Sequence, residues 1–396
     1  MSLCIINDSG VELDFNPELR FPGSLVDGRV SINLATAARK GFTVVTAELI
    51  AEVKTRVDED KLSQPLAFNE QHTLVSSKSV LWTADARTPP ESTIITASFS
   101  FVLPDRQLPP SFLYEGSDAS ASIQYYVKVV ANKKAWYKSG LKIYRSFAYL
   151  PFGEAVQFPL IHAPRRIVKD HLMLRKGVMF GGMGKVEGEF SLPDVTSLPL
   201  FEDIPFSLRI RCFSKPFPES QSSNPSVFTF PLPPTSSDQI EMSLLSLSNL
   251  AAQKHWKRVQ IKQGSIQGFS KPTKSKCSDH YVVEALRGNL SWVRIGDSRQ
   301  GRWCQEVIFN STLHLKCPPT FDIGLLQTSY HIQIKIPFPG VGNEFSMTVP
   351  LGRISSGMSK STHDIAHGML DLPPSYWEVA QSDNQSTVSS EPSESR

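Results

Sequence analysis

The residues whose types and spacing best suit chemistry are Leu372-Pro373-Pro374-Ser375-Tyr376, and the chemistry they offer is recognition. Two consecutive prolines hold a chain in polyproline II, so little entropy is lost when it docks in an aromatic-lined WW groove. Tyr376, two residues beyond Pro374, can fill the neighbouring pocket while its hydroxyl satisfies one polar edge. Leu372, Pro373, Pro374 and Tyr376 are therefore the candidate WW-domain-binding residues. The plainer reading is a Pro-rich loop that carries a tyrosine. A near echo, Leu108-Pro109-Pro110-Ser111-Phe112, has Phe112 in the Tyr position and leads directly into a strand, so it reads as structural.

A second constellation is basic. Lys254, Lys257, Arg258, Lys262, Lys271, Lys274 and Lys276 fall in a stretch with no acid between Glu241 and Asp279. Such a run offers a contact for anionic lipid headgroups or for acidic and phosphorylated cargo tails. The competing reading is a solvated loop with Lys along a sheet edge. Val259 and Ile261 alternate with Arg258, Gln260 and Lys262, which predicts a strand with its charges on the solvent side. Only Trp256 and Phe269 interleave the cations, so nucleic acid is not expected.

Nothing else assembles into a site. Gly181-Gly182-Met183-Gly184 lacks the Gly-Lys-Ser/Thr of a phosphate loop and reads as a hairpin. Cys277, Asp279 and His280 stand far along the chain from His363, Asp364 and His367, with no zinc-finger spacing in either group. His363 and His367 read instead as part of a solvated linker to the tyrosine motif. No catalytic residue, metal or cofactor is predicted. Five cysteines, odd in number and irregularly spaced, are not a disulfide framework.

The elements that must carry these residues are strands. A chain of 396 residues is long enough for two domains. With 40% hydrophobic and 20% charged residues it can bury sizeable cores, and 29 prolines favour strands and turns over long helices. The net charge of +3 is too small to make nucleic acid the main partner. Met1 to Asp8 has no basic n-region, no window approaches the roughly 18 apolar residues of a membrane span, and the chain reads as cytoplasmic. Asn289 and Asn310 head glycosylation patterns that carry no weight without secretion.

Period-two alternation predicts strands in which Ile95 to Leu103 bury their odd positions, Ile123, Tyr125, Val127 and Val129 face inward, and Tyr330, Ile332, Ile334 and Ile336 do likewise. Asp27-Gly28, Pro89-Pro90 and Pro109-Pro110 read as turns. Met242 to Trp256 fits helix or strand and is taken as strand-containing. The expected architecture is all-β, with antiparallel sandwiches over 1–155 and 156–355. The second has a Pro- and Ser-rich insertion at Lys215 to Pro234. Residues 356–396 are too polar to fold and form a disordered tail carrying the tyrosine motif.

Several segments together resemble the arrestin fold, in particular the α-arrestins that carry proline-tyrosine motifs. Phe21-Pro22-Gly23-Ser24-Leu25-Val26-Asp27-Gly28-Arg29-Val30 is similar to the family's first strand pair. Leu108 to Phe112, followed by Ile123-Gln124-Tyr125-Tyr126-Val127-Lys128-Val129, resembles its Leu-Pro-Pro-Ser-Phe and Ile-x-Tyr-x-Val-Lys signature. Lys176 to Pro193 resembles the opening of the second arrestin domain, and Tyr330 to Ile336 with Phe345 to Leu351 its closing strands. Residues 215 to 325 depart from the family pattern, and the tail has one tyrosine motif where relatives often have two.

The resemblance implies two tandem arrestin-like, immunoglobulin-like β-sandwiches in a non-enzymatic adaptor. Its partners would be a WW-domain HECT-type ubiquitin ligase, an integral membrane transporter or receptor as cargo, and an anionic membrane surface. The consequence would be cargo ubiquitylation and endocytosis, with recruitment from the cytoplasm to plasma membrane or endosomes. A signalling scaffold of the same fold, as in ambient-pH sensing, is the first alternative. A β-sandwich enzyme or carbohydrate-binding module with a fortuitous motif is the second.

Overall fold

The computed structural model describes residues 9–61, 64–84, 94–134, 140–153, 159–175, 183–269 and 283–359. These described residues are all-β apart from one short α-helix and a few 3-10 turns. The first half contains β1 (Val11–Asp14), β2 (Leu25–Asn33), β3 (Phe42–Lys61), β4 (Gln64–Thr83), β5 (Ile94–Val102), β6 (Phe112–Glu115), β7 (Ala119–Lys133) and β8 (Leu141–Phe147). One sheet runs β1-β2-β5; the other runs β4-β3-β7, with β6 and β8 both on the far edge of β7. Val26, Val30, Ile32, Phe99 and Phe101 from the first pack against Leu49, Ile123, Tyr125 and Val127 from the second. The alternation therefore predicts the inner faces of β5 and β7 correctly. Between β2 and β3 lies α1 (Leu34–Lys40), capped by the Asn33 side chain, which accepts from the Thr36 N–H at 2.9 Å. It stops at Gly41, whose φ of 72° is left-handed.

Asp27-Gly28 is not a turn; it lies inside β2, with Gly28 opposite Phe99 of β5. A Cβ on Gly28 would sit 2.5 Å from the Phe99 ring and 2.9 Å from the Asp14 carbonyl oxygen. The glycine therefore serves close approach within a sheet rather than a reversal of the chain.

The second half contains β9 (Arg165–Arg175), β10 (Met183–Pro193), β11 (Leu198–Pro199), β12 (Asp203–Phe213), β13 (Phe217–Pro218), β14 (Glu241–Ala252), β15 (His255–Ser265) and β16 (Glu284–Arg287). It continues with β17 (Ser291–Arg294), β18 (Gln300–His314), β19 (Phe321–Asp322), β20 (Leu326–Pro337), β21 (Glu344–Gly352) and β22 (Ile354–Ser355). One sheet runs β9-β10-β12-β18, with β13, β16 and β17 along the far edge of β18. The facing sheet runs β15-β14-β20, with β19 and β21 sharing the far edge of β20. Val186, Phe190, Leu208 and Phe309 meet Met242, Ile332, Ile334 and Phe345 between them. Tyr330, Ile332, Ile334 and Ile336 all point inward. Met242 to Trp256 resisted a period because β14 is buried on both faces over much of its length. The Lys215 to Pro234 stretch is irregular, with 3-10 turns at Glu219–Gln221 and Pro225–Val227.

The folded body does not stop at residue 355. β22 pairs in parallel with β11, Ser355 and Ser356 are buried, and the Gly153 N–H donates to the Met358 carbonyl at 3.0 Å. The sandwiches also share material. Arg20 pairs with Tyr149 in a parallel bridge, and the flanking Leu19, Phe21, Ala148 and Leu150 belong to the second core. Leu250, Ala252, Val259 and Leu326 belong to the first.

Gly28→Ala should lower stability by about 1–3 kcal/mol, because the added methyl overpacks a site closed by backbone on one side. The check is the urea midpoint at unchanged m-value. An unaltered midpoint would mean the Phe99 ring swings clear.

Candidate partner-binding surface

The described part of the basic stretch, Lys254 to Lys262, lies in one hairpin. β14 and β15 are joined by only Gln253 and Lys254, whose φ values of 49° and 74° are both positive. Two left-handed residues in a row give the tight turn that suits the twist of paired strands. Neither residue is glycine, so this conformation is costly and needs outside support. The first sandwich supplies it. The Gln253 N–H donates to Glu70 Oε2 at 2.7 Å, and Gln253 Nε2 donates to the Asn69 carbonyl at 2.9 Å. Thr55 Oγ1 donates to the Ala251 carbonyl at 2.6 Å. His255 stacks on Phe68 with ring centroids 3.6 Å apart, and its Nδ1 lies 2.5 Å from Glu59 Oε1. Accepting the Gln253 N–H holds the Glu70 carboxyl below the usual range.

Of the seven cations in the stretch, the four that are described, Lys254, Lys257, Arg258 and Lys262, do not share one surface. Lys254 occupies the turn. Lys257 lies on the same side of the strand as Val259 and forms an ion pair with Asp118 of the first sandwich, which lowers the Asp118 carboxyl pKa. Arg258 and Lys262 do face solvent, as the alternation predicts, together with Gln260. Lys262 Nζ reaches Glu241 Oε1 at 2.8 Å across the ladder, with both side chains about half exposed. Arg258 has no ion-pair partner among the described residues. An acid-free window of sequence thus says little about local field, because Asp118 and Glu241 arrive through the fold.

Two groups that the sequence shows as outward-facing, but not as part of this surface, join it from β20. His331 stands close enough to Arg258 for burial and then that cation to push its pKa down. Lys335 lies opposite Glu241. Their outward alternation was readable, but which strand would lie beside β14 was not. At the far end of β15, Gln263, Gly264 and Ser265 form one lip of a cleft of about 180 Å³. Thr312, His314 and Lys316 form the other, with Leu244, Ile266 and Leu313 in its lining.

The tyrosine motif, Leu372, Pro373, Pro374 and Tyr376, lies outside the described residues. So do Lys271, Lys274, Lys276, the Cys277 to His280 group, and His363 and His367. The near echo is described: Leu108 to Phe112 is buried throughout. Its Pro109 carbonyl accepts the Tyr125 hydroxyl at 2.6 Å, and Ser111 Oγ accepts the Tyr149 N–H at 2.9 Å. That segment cannot enter a groove on another protein without unfolding part of the sandwich.

Cys212, Cys304 and Cys317 are free and buried, and burial pushes all three thiols up, Cys304 to about 11. Thiols so protonated are poor nucleophiles. Among the described residues, no three His, Cys, Asp or Glu side chains converge on a metal site, and no helix is long and apolar enough to cross a membrane. No protein-family model matches the chain, and a search of curated proteins finds no match.

The ion pairs separate the cations into two kinds. Arg258→Ala should weaken binding to anionic vesicles about fivefold at low salt, since a basic contact near a membrane contributes about 1 kcal/mol. Lys257→Ala should leave it nearly unchanged. Vesicle co-sedimentation at low and physiological salt decides this, and equal losses for both would show that Lys257 leaves Asp118 to reach the membrane.

Proposed function

We propose that this chain is a non-enzymatic adaptor of the α-arrestin type, which brings a WW-domain HECT ubiquitin ligase to membrane-protein cargo. The observation that carries the reading is Leu372-Pro373-Pro374-Ser375-Tyr376, the pattern a WW groove accepts, placed after an all-β body. The order of the resembling segments, from Phe21 to Leu351, supports the fold family. So does the behaviour of the near echo: with Leu108 to Phe112 buried, the motif at Tyr376 is left as the candidate for ligase recruitment.

In this reading catalysis belongs to the partner. Linking a ligase-binding peptide to a cargo-binding body raises the effective ligase concentration around cargo lysines without any chemistry by the adaptor. The raised pKa values of the three buried thiols fit a body that binds rather than reacts. The proposed setting is the cytoplasm, with recruitment to plasma membrane or endosomes through cargo and through the cations of β15.

Tyr376→Ala should weaken WW-domain binding at least about tenfold, because it empties a pocket and strands the polar groups that line it. Titration of wild-type and mutant full-length chains against a panel of WW domains tests this. Equal affinities would remove ligase recruitment from the function.

A further inference from the structure

Among the described residues, the hairpin that docks on the first sandwich leaves β15 as the outermost strand of its sheet. A two-residue turn fixes which backbone groups face β14. His255 pairs with Ala252 in the bonded position, so Lys257, Val259 and Ile261 also bond inward toward Leu250, Ser248 and Ser246. Trp256, Arg258, Gln260 and Lys262 consequently aim their N–H and C=O groups away from the sheet. None of these outward groups has a backbone partner among the described residues. The same four residues place their side chains on the solvent face, and Trp256 is 74% exposed.

This edge has an aromatic ring at one end, cations along it and a cleft of mixed polar and apolar lining at the other. From Trp256 to Gly264 it spans about 26 Å, at about 3.3 Å per residue, the length of an eight-residue extended segment. We propose that β15 receives an extended acidic peptide of a partner as an added strand, its carboxylates on Arg258 and Lys262 and an apolar side chain on Trp256. This deepens the adaptor reading and rests on it in one respect, that the folded body is the part that holds cargo.

Charge selects the occupant. A second copy pairing edge to edge would set Arg258 and Lys262 against the same cations, which destabilises directly opposed strands. The cations that repel a chance neutral or basic strand attract an acidic one. A membrane could use the charges, but headgroups do not present N–H and C=O groups in register with four residues of a strand. A peptide does, and main-chain bonds then supply affinity while alternate side chains supply specificity. Glu241, paired with Lys262 in the free protein, is the group an incoming carboxylate would displace.

The test uses the full chain and a fluorescent octapeptide alternating Glu with Val, followed by anisotropy at low salt. Two further peptides carry N-methyl groups on alternate amides, one in each register. Phosphatidylserine vesicles form a separate arm. Binding of the parent peptide is expected, with at least about tenfold loss on Arg258→Glu with Lys262→Glu, and the same loss for one N-methylated peptide but not the other. Gln260→Pro removes an outward N–H without breaking a bond to β14, and should cost about tenfold at unchanged melting temperature. If that variant fails to fold, the N-methylated peptides decide. Absence of parent-peptide binding, equal binding of all three peptides, or binding of vesicles alone overturns the proposal. WW-domain binding should be intact in every β15 variant, and Tyr376→Ala should leave octapeptide binding intact, so failure of either reading is visible separately.

Discussion

The turn at Gln253 and Lys254 is the constraint on which much of the structure depends. Two non-glycine residues at positive φ do not hold a hairpin by themselves, and Glu70, Asn69, Thr55 and Phe68 supply the missing support from another sandwich. That support fixes the hairpin, and the hairpin in turn brings Leu250, Ala252 and Val259 into the first core. The reciprocal exchange occurs at Arg20 and Tyr149, where flanking residues cross into the second core. Each sandwich therefore completes the other, and the contacts between them mix apolar burial with directional bonds.

The outer faces are organised by charge across strands. Glu48 on β3 lies between Lys78 on β4 and Lys128 on β7. On the second sandwich, Glu189 on β10 lies between Lys169 on β9 and Arg209 on β12, and Glu187 takes Lys185 and Arg211. Exposed pairs of this kind contribute little each. Their value is in register: a slip by one residue would break these opposite-charge pairs and turn the inner face outward. On β15 the pattern is incomplete, because among the described residues Arg258 lacks the carboxylate that these ladders would give it.

What the sequence made legible follows from the range of the forces involved. Faces of β5, β7, β15 and β20 were readable because period two is local. β14 was not, since covering by neighbours on both sides erases the alternation. Asp27-Gly28 was misread because a glycine admitted for the Phe99 ring looks the same as one admitted for a turn. At the candidate surface, the exposure of Arg258 and Lys262 was legible, whereas the removal of Lys257 by Asp118 was not. Ion pairs between residues far apart in sequence need the topology first.

The closing contacts of the folded body carry a mechanical meaning. The chain leaves β21, pairs through β22 with β11, and binds Gly153 through the Met358 carbonyl. Gly153 follows directly on the Leu150 to Phe152 stretch, where Leu150 and Phe152 pack in the second core and Leu150 bonds back to Arg20. Tension applied from beyond Ser359 would therefore be borne first by the Met358–Gly153 bond, on the strap that joins the sandwiches, and then by the short β11–β22 pair. A load on the tail pulls at the joint rather than at either sheet.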